Sequence, residues 1–246
     1  MPALIEWPIL GLHFFPVGSA VRGLWRGYYF AEVYSFLSLE PTKKRTSVFI
    51  DGQNLYHTAK KAFGYHYPNY DAAQLAECVC ASQGWVLQDV YFYTGVPDSR
   101  DKPFWNYFWN AKLAVMGTRG VRTFQRALRY HDQEVVLPDG TLSTVRIGQE
   151  KGIDLRLALD VVRLSLEQSF DVAVIFSQDQ DLSEMVDEVR RIAALQHRWV
   201  KLACAFPCSA AYDNRRGINK TDWIRIDKTT YDACIDPNDY RMKRVP

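Results

Sequence analysis

The chain has no apolar run that approaches the roughly 20 residues a membrane span requires. It lacks a basic start followed by a compact apolar core, so no secretory leader is expected. The formal net charge is only +2 over 246 residues. Bulk charge therefore does not mark a nucleic-acid binder, and any basic surface must be local. Paired cysteine spacing is also missing. Cys78, Cys80, Cys204, Cys208 and Cys234 make an odd set, without zinc-site spacing and without a histidine cluster. Reduced thiols in a cytoplasmic protein are the expectation. There is no internal repeat and no low-complexity tract.

What is present is an ordinary globular composition, 48% hydrophobic and 24% charged, in a chain long enough for one α/β domain with a buried core plus an extension. Residues 1–45 are rich in aromatics (Trp7, Phe14, Phe15, Trp25, Tyr28, Tyr29, Phe30), interrupted by Pro8, Pro16, Gly18, Arg22, Arg26 and Glu32. They read as an N-terminal extension that packs on the domain, mediates association or forms a leader. Residues 46–246 read as the domain and its C-terminal tail.

Short β-branched runs alternate with helical periodicity. Ser47–Ile50, Val86–Tyr93, Val121–Arg129, Val172–Phe176 and Val200–Cys204 are expected strands, with Trp223–Ile226 a short last one. Val172–Phe176 contains no polar residue, which suits the centre of a parallel sheet covered on both faces. Helices are expected after Asn54, from Asp71 as N-cap to Ser82, over Phe104–Met116, over Asp154–Glu167 and over Leu182–Leu195. Leu155, Leu159, Val162 and Leu166 lie along one side of the fourth of these. Pro138-Asp139-Gly140 between two apolar runs, Glu134–Leu137 and Leu142–Ile147, predicts a β-hairpin. The alternation gives an α/β fold with a mainly parallel sheet.

Three acidic clusters stand where such a fold places ligands. Asp51 follows the first strand, Asp179 and Asp181 follow the fourth, and Asp154 opens a helix. Open parallel sheets bind ligands beyond the carboxyl ends of strands, where the strand order reverses. If the first and fourth strands are neighbours, Asp51 and Asp179 meet there, and Asp154 joins them. Each acid alone has a local explanation as a turn residue, first-turn helix residue or N-cap. Carboxylates gathered without basic partners repel one another, and hard divalent cations relieve that repulsion. Mg2+ or Mn2+ held by carboxylates activates water and neutralises charge on a phosphodiester. The expected activity is therefore metal-dependent cleavage of a phosphodiester. His57, one turn beyond Asn54, is either a site residue or a surface residue.

The motifs Phe49-Ile50-Asp51-Gly52-Gln53-Asn54, Lys151-Gly152-Ile153-Asp154 and Ser177-Gln178-Asp179-Gln180-Asp181-Leu182 occur in this order. On them, residues from about 47 to 240 resemble the NYN domains of the PIN-like nuclease superfamily, in particular the bacterial LabA-like group. The resemblance implies a Rossmann-like, PIN-type three-layer α/β/α fold with strand order 3-2-1-4-5, into which the β-hairpin is inserted. It also implies metal-dependent endonucleolytic cleavage of RNA. By position, Asp51, Asp154 and Asp179 take the metal-ligand roles, and Asp181 matches a further acid. Asn54 orients the first acid or the substrate, Lys151 sits near a phosphate, and Ser177 supports the metal shell. Gln178 and Gln180 replace the usual smaller residues and are expected to narrow the edge of the site. Asp222, in a stretch that also resembles bacterial members, is an outer acid or a strand-leading surface acid.

Arg119, Arg122, Arg126 and Arg129, with Lys112 before them, could track a phosphate backbone or form a solvated sheet edge. Arg215 and Arg216 are a second candidate contact. Trp105, Tyr107, Phe108 and Trp109 offer base-stacking platforms or core, with Tyr107 the most exposed. The expected partner is single-stranded or looped RNA, with no membrane and room for a homo-oligomer. Two alternatives stand: a non-catalytic RNA-binding or regulatory module of the same fold, and a small-molecule phosphohydrolase. The latter usually shows Asp-x-Asp after the first strand, where this chain has Gln53.

Overall fold

The structure, a computed structural model, describes residues 39–138, 140–212 and 216–241. Apart from residues 39–45, the expected N-terminal extension lies outside them. Among the described residues no helix is long and apolar enough to cross a membrane.

The chain runs β1 (Arg45–Asp51), α1 (Gly52–Phe63), α2 (Ala72–Ser82), β2 (Val86–Val96), α3 (Pro103–Thr118), β3 (Arg122–Ala127), β4 (Arg129–Val136) and β5 (Leu142–Gln149). It continues through α4 (Ile153–Leu166), β6 (Val172–Phe176), a 3-10 turn (Gln180–Leu182), α5 (Ser183–Leu195), β7 (Lys201–Pro207), β8 (Asp222–Ile226) and α6 (Lys228–Asp232). Six strands form one sheet in the order β3-β2-β1-β6-β7-β8, and every neighbouring pair is parallel. Counting only the strands of this sheet, the order is 3-2-1-4-5, with a sixth strand beyond the fifth. The Trp223–Ile226 run supplies that edge strand.

Successive residues of a strand face opposite sides, and the two central strands are apolar on both. Val48, Ile50, Val174 and Phe176 pack under α1, α2 and α3 with Leu55, Leu75, Val79 and Phe108. Phe49, Ala173 and Ile175 pack under α4 and α5 with Leu157, Val161, Met185 and Val189. Helices on both faces of a parallel sheet make the three-layer fold.

Three features differ from the sequence expectation. The run Val121–Arg129 is not one strand: Leu128, whose N–H bonds the Val96 carbonyl at 3.1 Å, separates β3 from β4. Arg129 therefore belongs to the hairpin, which pairs in unbroken register from Arg129↔Gln149 to Val136↔Leu142 and extends further than its two apolar runs; Asp139 in its turn lies outside the described residues. Lys112 is not part of a basic stripe. It is fully buried, donates to the Tyr70 carbonyl at 2.7 Å and pairs with Asp236 at 3.2 Å. Burial pushes its pKa down while Asp236 opposes the shift, and the Tyr240 ring centroid lies 5.0 Å from Nζ. Its role is to fasten the C-terminal segment beneath α3.

The third difference is in α4. Leu155, Leu159 and Leu166 face outward at 61%, 57% and 55% exposure. The buried row is Ile153, Leu157, Val161 and Leu164. The helix carries two apolar rows at helical spacing, and periodicity alone does not choose between them. Leu157→Ala should cost about 2–5 kcal/mol in unfolding free energy, because it empties a closed core site. Leu159→Ala should stay within about 0.5 kcal/mol of the parent. Chemical denaturation of both variants checks the assignment, and equal losses would contradict it.

Candidate active site

β1 is level with β6 at Ile50↔Phe176 and with β2 at Asp51↔Tyr93. The residues after Phe176 therefore arrive beside Asp51 at the carboxyl edge of the sheet. Asp51 is the N-cap of α1, and its Oδ1 accepts the Asn54 backbone N–H at 3.0 Å. Ser177 donates its hydroxyl to Asp51 Oδ2 at 3.4 Å and accepts the Asp179 N–H at 3.2 Å. Asn54 Oδ1 accepts the Gln178 N–H at 3.0 Å, joining the two strand ends from the other side. Asp179 Oδ1 accepts the Asp181 N–H at 3.0 Å and opens the 3-10 turn. The sequence-predicted residues Asp51, Asn54, Ser177 and Asp179 thus form one hydrogen-bonded group.

Gln178 and Gln180 do not close over this group. Gln178 Nε2 donates to the Arg216 carbonyl at 2.7 Å, and Gln180 Nε2 donates to the Gly217 carbonyl at 2.9 Å. Gln180 Oε1 accepts the Asn219 N–H at 3.2 Å. The longer amides bind the neighbouring loop instead of narrowing the site.

Asp154 is exposed in the first turn of α4. Gly152 turns the chain into that helix at φ +73°, a left-handed conformation that other residues rarely adopt. Lys151 and Asp181 are also exposed. Between Lys151 and the hairpin lies Glu150, which sequence reasoning did not single out. It precedes Asp154 by one helical turn in number, the only sequence signal it gave.

Charge is concentrated here without compensation. Burial and the Asp179 carboxylate push Asp51 up from 3.8 to about 6, against the hydrogen bonds from Asn54 and Ser177. Burial, then the charges of Asp51 and Asp154, push Glu150 up from 4.5 to about 7. Among the described residues, no three His, Cys, Asp or Glu side chains already converge as a group that could hold a metal ion. The donor chemistry nevertheless fits Mg2+ or Mn2+. The acids offer hard oxygen ligands, like charge adds to burial in raising Asp51 and Glu150, and Glu150 Oε2 is buried with no hydrogen-bond partner.

The basic residues separate into two sets. Arg119 is ion-paired with Asp71 and lines a cleft with Val86, Leu87 and Gln88 at the amino end of β2. Arg122 pairs with Asp89 at 2.9 Å and lies over the Tyr91 ring. Arg122 is level with Tyr91 and so with Phe49, two residues before Asp51; with both side chains engaged by Asp71 and Asp89, the expected stripe does not reach the site as a whole. Arg126, four residues further along, reaches it: its Nη1 lies 2.7 Å from where a Cβ on Gly152 would stand. Arg129 opens the hairpin opposite Gln149, Arg216 is exposed, and Arg215 lies outside the described residues. His57 is exposed and rests against Tyr56; burial, with Lys60 and Lys61, lowers its pKa. Asp222 pairs with Lys201 at 2.7 Å where β8 starts, as a strand-leading surface acid does. Phe108 and Trp109 are core, whereas Tyr107 is 49% exposed.

Asp51 and Glu150 keep protons in the folded chain at pH values where the unfolded chain has lost them. Between about pH 4 and pH 7 folding therefore takes up protons, and the contribution of these two groups to stability falls as pH rises. Asp51→Asn should melt higher than the wild type in EDTA at pH 7.5, and the advantage should shrink toward pH 5. Thermal denaturation across this range checks the trend; a difference independent of pH would refute it.

Comparison with solved structures gives weak likenesses that carry no argument about function. A Vibrio parahaemolyticus protein of unknown function is 17% identical, with a TM-score of 0.45, covering 77% of this chain and 97% of that one. The ribokinase of Giardia lamblia is 15% identical with a TM-score of 0.31, covering 70% and 57%. MurG of Acinetobacter baumannii is 8% identical with a TM-score of 0.30, covering 74% and 45%. Comparison with curated proteins gives no match. The sequence profile of the NYN domain matches residues 45–195, a span that holds β1, the Lys151–Asp154 turn and the Ser177–Leu182 turn. With more than half of its length in that match, and with the parallel sheet and carboxyl-edge acids that accompany it, the chain belongs to the NYN domain family of the PIN-like nuclease superfamily.

Proposed function

We propose that this chain is a divalent-metal-dependent endoribonuclease acting on single-stranded or looped RNA. The observation that carries the reading is the uncompensated acidic group at the carboxyl edge, where Asp51 is pushed up to about 6 by burial and by Asp179. Asp51, Asp154 and Asp179 would hold Mg2+ or Mn2+, with Asp181 at the outer side. Such an ion lowers the pKa of a bound water and offsets the charge that builds on a scissile phosphate.

The protein's own residues supply position and charge. Ser177 and Asn54 fix the Asp51 carboxylate and the turn that carries Asp179, so little reorganisation accompanies the reaction. Arg126, whose Nη1 approaches Gly152, and the exposed Lys151 would meet a phosphate at the α4 turn, where the helix N-terminus adds a favourable dipole. Arg129 and Arg216 extend the basic rim. Tyr107 and Phe104, exposed on α3, offer ring faces to unpaired bases. The odd cysteine count of the sequence, five, is the ground on which we place the chain in the cytoplasm.

In cleavage of a mixed RNA substrate with Mn2+ or Mg2+, Asp51→Asn and Asp179→Asn should each lower the rate by about a hundredfold or more. Activity that persists in EDTA, or is equal in wild type and Asp51→Asn, would rule out the reading. RNA binding without turnover in any metal would point to the binding module instead. A separate measurement addresses the basic residues. Arg126→Ala should weaken RNA binding and reduce the slope of log affinity against log salt by about 0.7 for a single strand. Arg119→Ala and Arg122→Ala, whose partners are Asp71 and Asp89, should leave that slope unchanged.

A further inference from the structure

Four side-chain atoms among the described residues are fully buried without a hydrogen-bond partner: the hydroxyls of Ser47, Ser165 and Ser209, and Oε2 of Glu150. The three hydroxyls are neutral and cost comparatively little. A carboxylate oxygen in the same situation is far more costly, and it requires a proton, a cation or a reason.

Its surroundings narrow the choice. Glu150 accepts a hydrogen bond from the Gly95 backbone N–H. Gly95 lies two residues past Tyr93, which is level with Asp51, so the carboxyl group is drawn in beside the end of β1. A Cβ at position 95 would stand 2.5 Å from Leu128 Cδ2 and 3.2 Å from the Glu150 carboxyl carbon, so Leu128 and this carboxylate share the room that the absent side chain leaves. The charged groups that act on it are Asp51 from β1 and Asp154 from α4, both of its own sign. Arg126 directs its Nη1 at Gly152 and makes no salt bridge with Glu150. A hard divalent cation, bound by carboxylate oxygens, satisfies the orphaned oxygen and the like charges together.

We propose that Glu150 is a further carboxylate ligand of the divalent cation, bridging the gap between Asp51 on β1 and Asp154 on α4. This deepens the metal-dependent reading above and rests on it. It assigns to Glu150 the buried side of the ion, while the exposed Asp154 faces solvent and substrate.

The test is Mn2+ binding to the full chain, followed by the electron paramagnetic resonance signal of unbound Mn2+, for wild type, Glu150→Gln and Glu150→Ala. Thermal melts in EDTA accompany it. The expected result is Mn2+ binding by the wild type, weakened about tenfold or more in both variants. In EDTA both variants should melt at or above the wild-type temperature, because they remove an unpaired buried acid. Unchanged Mn2+ affinity in the variants overturns the assignment of Glu150 while leaving the roles of Asp51 and Asp179 standing. Variants that melt well below the wild type in EDTA, or fail to fold, show a structural acid and overturn it equally. A wild type that binds no Mn2+ removes both this inference and the metal-dependent reading.

Discussion

Everything at the candidate site depends on the parallel pairing of β1 with β6, which runs in register from Thr46↔Val172 to Ile50↔Phe176. Those strands come from distant parts of the chain and are joined by no turn. Their register is set by apolar side chains that fill both layers. A slip of one residue would move Val48, Ile50, Val174 and Phe176 to the wrong face. Since both faces are closed, the register is strongly specified, and so is the height at which Asp51 and Ser177 emerge. The hydrogen bonds of Asn54 and Ser177 then lock a relation that the core has already established.

The same edge keeps a high local charge. Elsewhere the described acids are largely paired: Asp171 with Arg45, Asp160 with Arg156 and Arg163, Asp236 with Lys112. At the carboxyl edge Asp51 and Glu150 meet other acids, and the stable layers beneath absorb the repulsion. Uncompensated charge confined to one rim of a well-packed sheet is the pattern expected where stability is given up for a ligand.

Much of this was legible in the sequence. The all-apolar run Val172–Phe176 marks a central parallel strand, and acids directly after such runs mark the rim of the sheet. What sequence could not decide were questions of which way a side chain faces. In α4 the row Leu155, Leu159, Val162 and Leu166 has the spacing of a core stripe, but an equally apolar row lies beside it, and packing on α5 chose the latter. Lys112 carries a surface residue's charge, yet Asp236, far along the chain, makes its burial tolerable. The arginines share a segment but not a location, because a strand spreads its residues along its length. Glu150 was hidden because one glutamate before a glycine turn is common; only the buried, unpartnered Oε2 distinguishes it in three dimensions.

The family match ends at residue 195, but the folded unit does not. β7 pairs directly with β6 on the side away from β1, Ile226 and Tyr231 fill the core beneath α1, and Asp236 is the counter-ion of Lys112. The segment that the family profile matches and the segment that packs into one core are thus different lengths of chain. Chemistry can be inherited in the shorter segment, while the longer one carries the closure that lets a lysine sit in the dry interior.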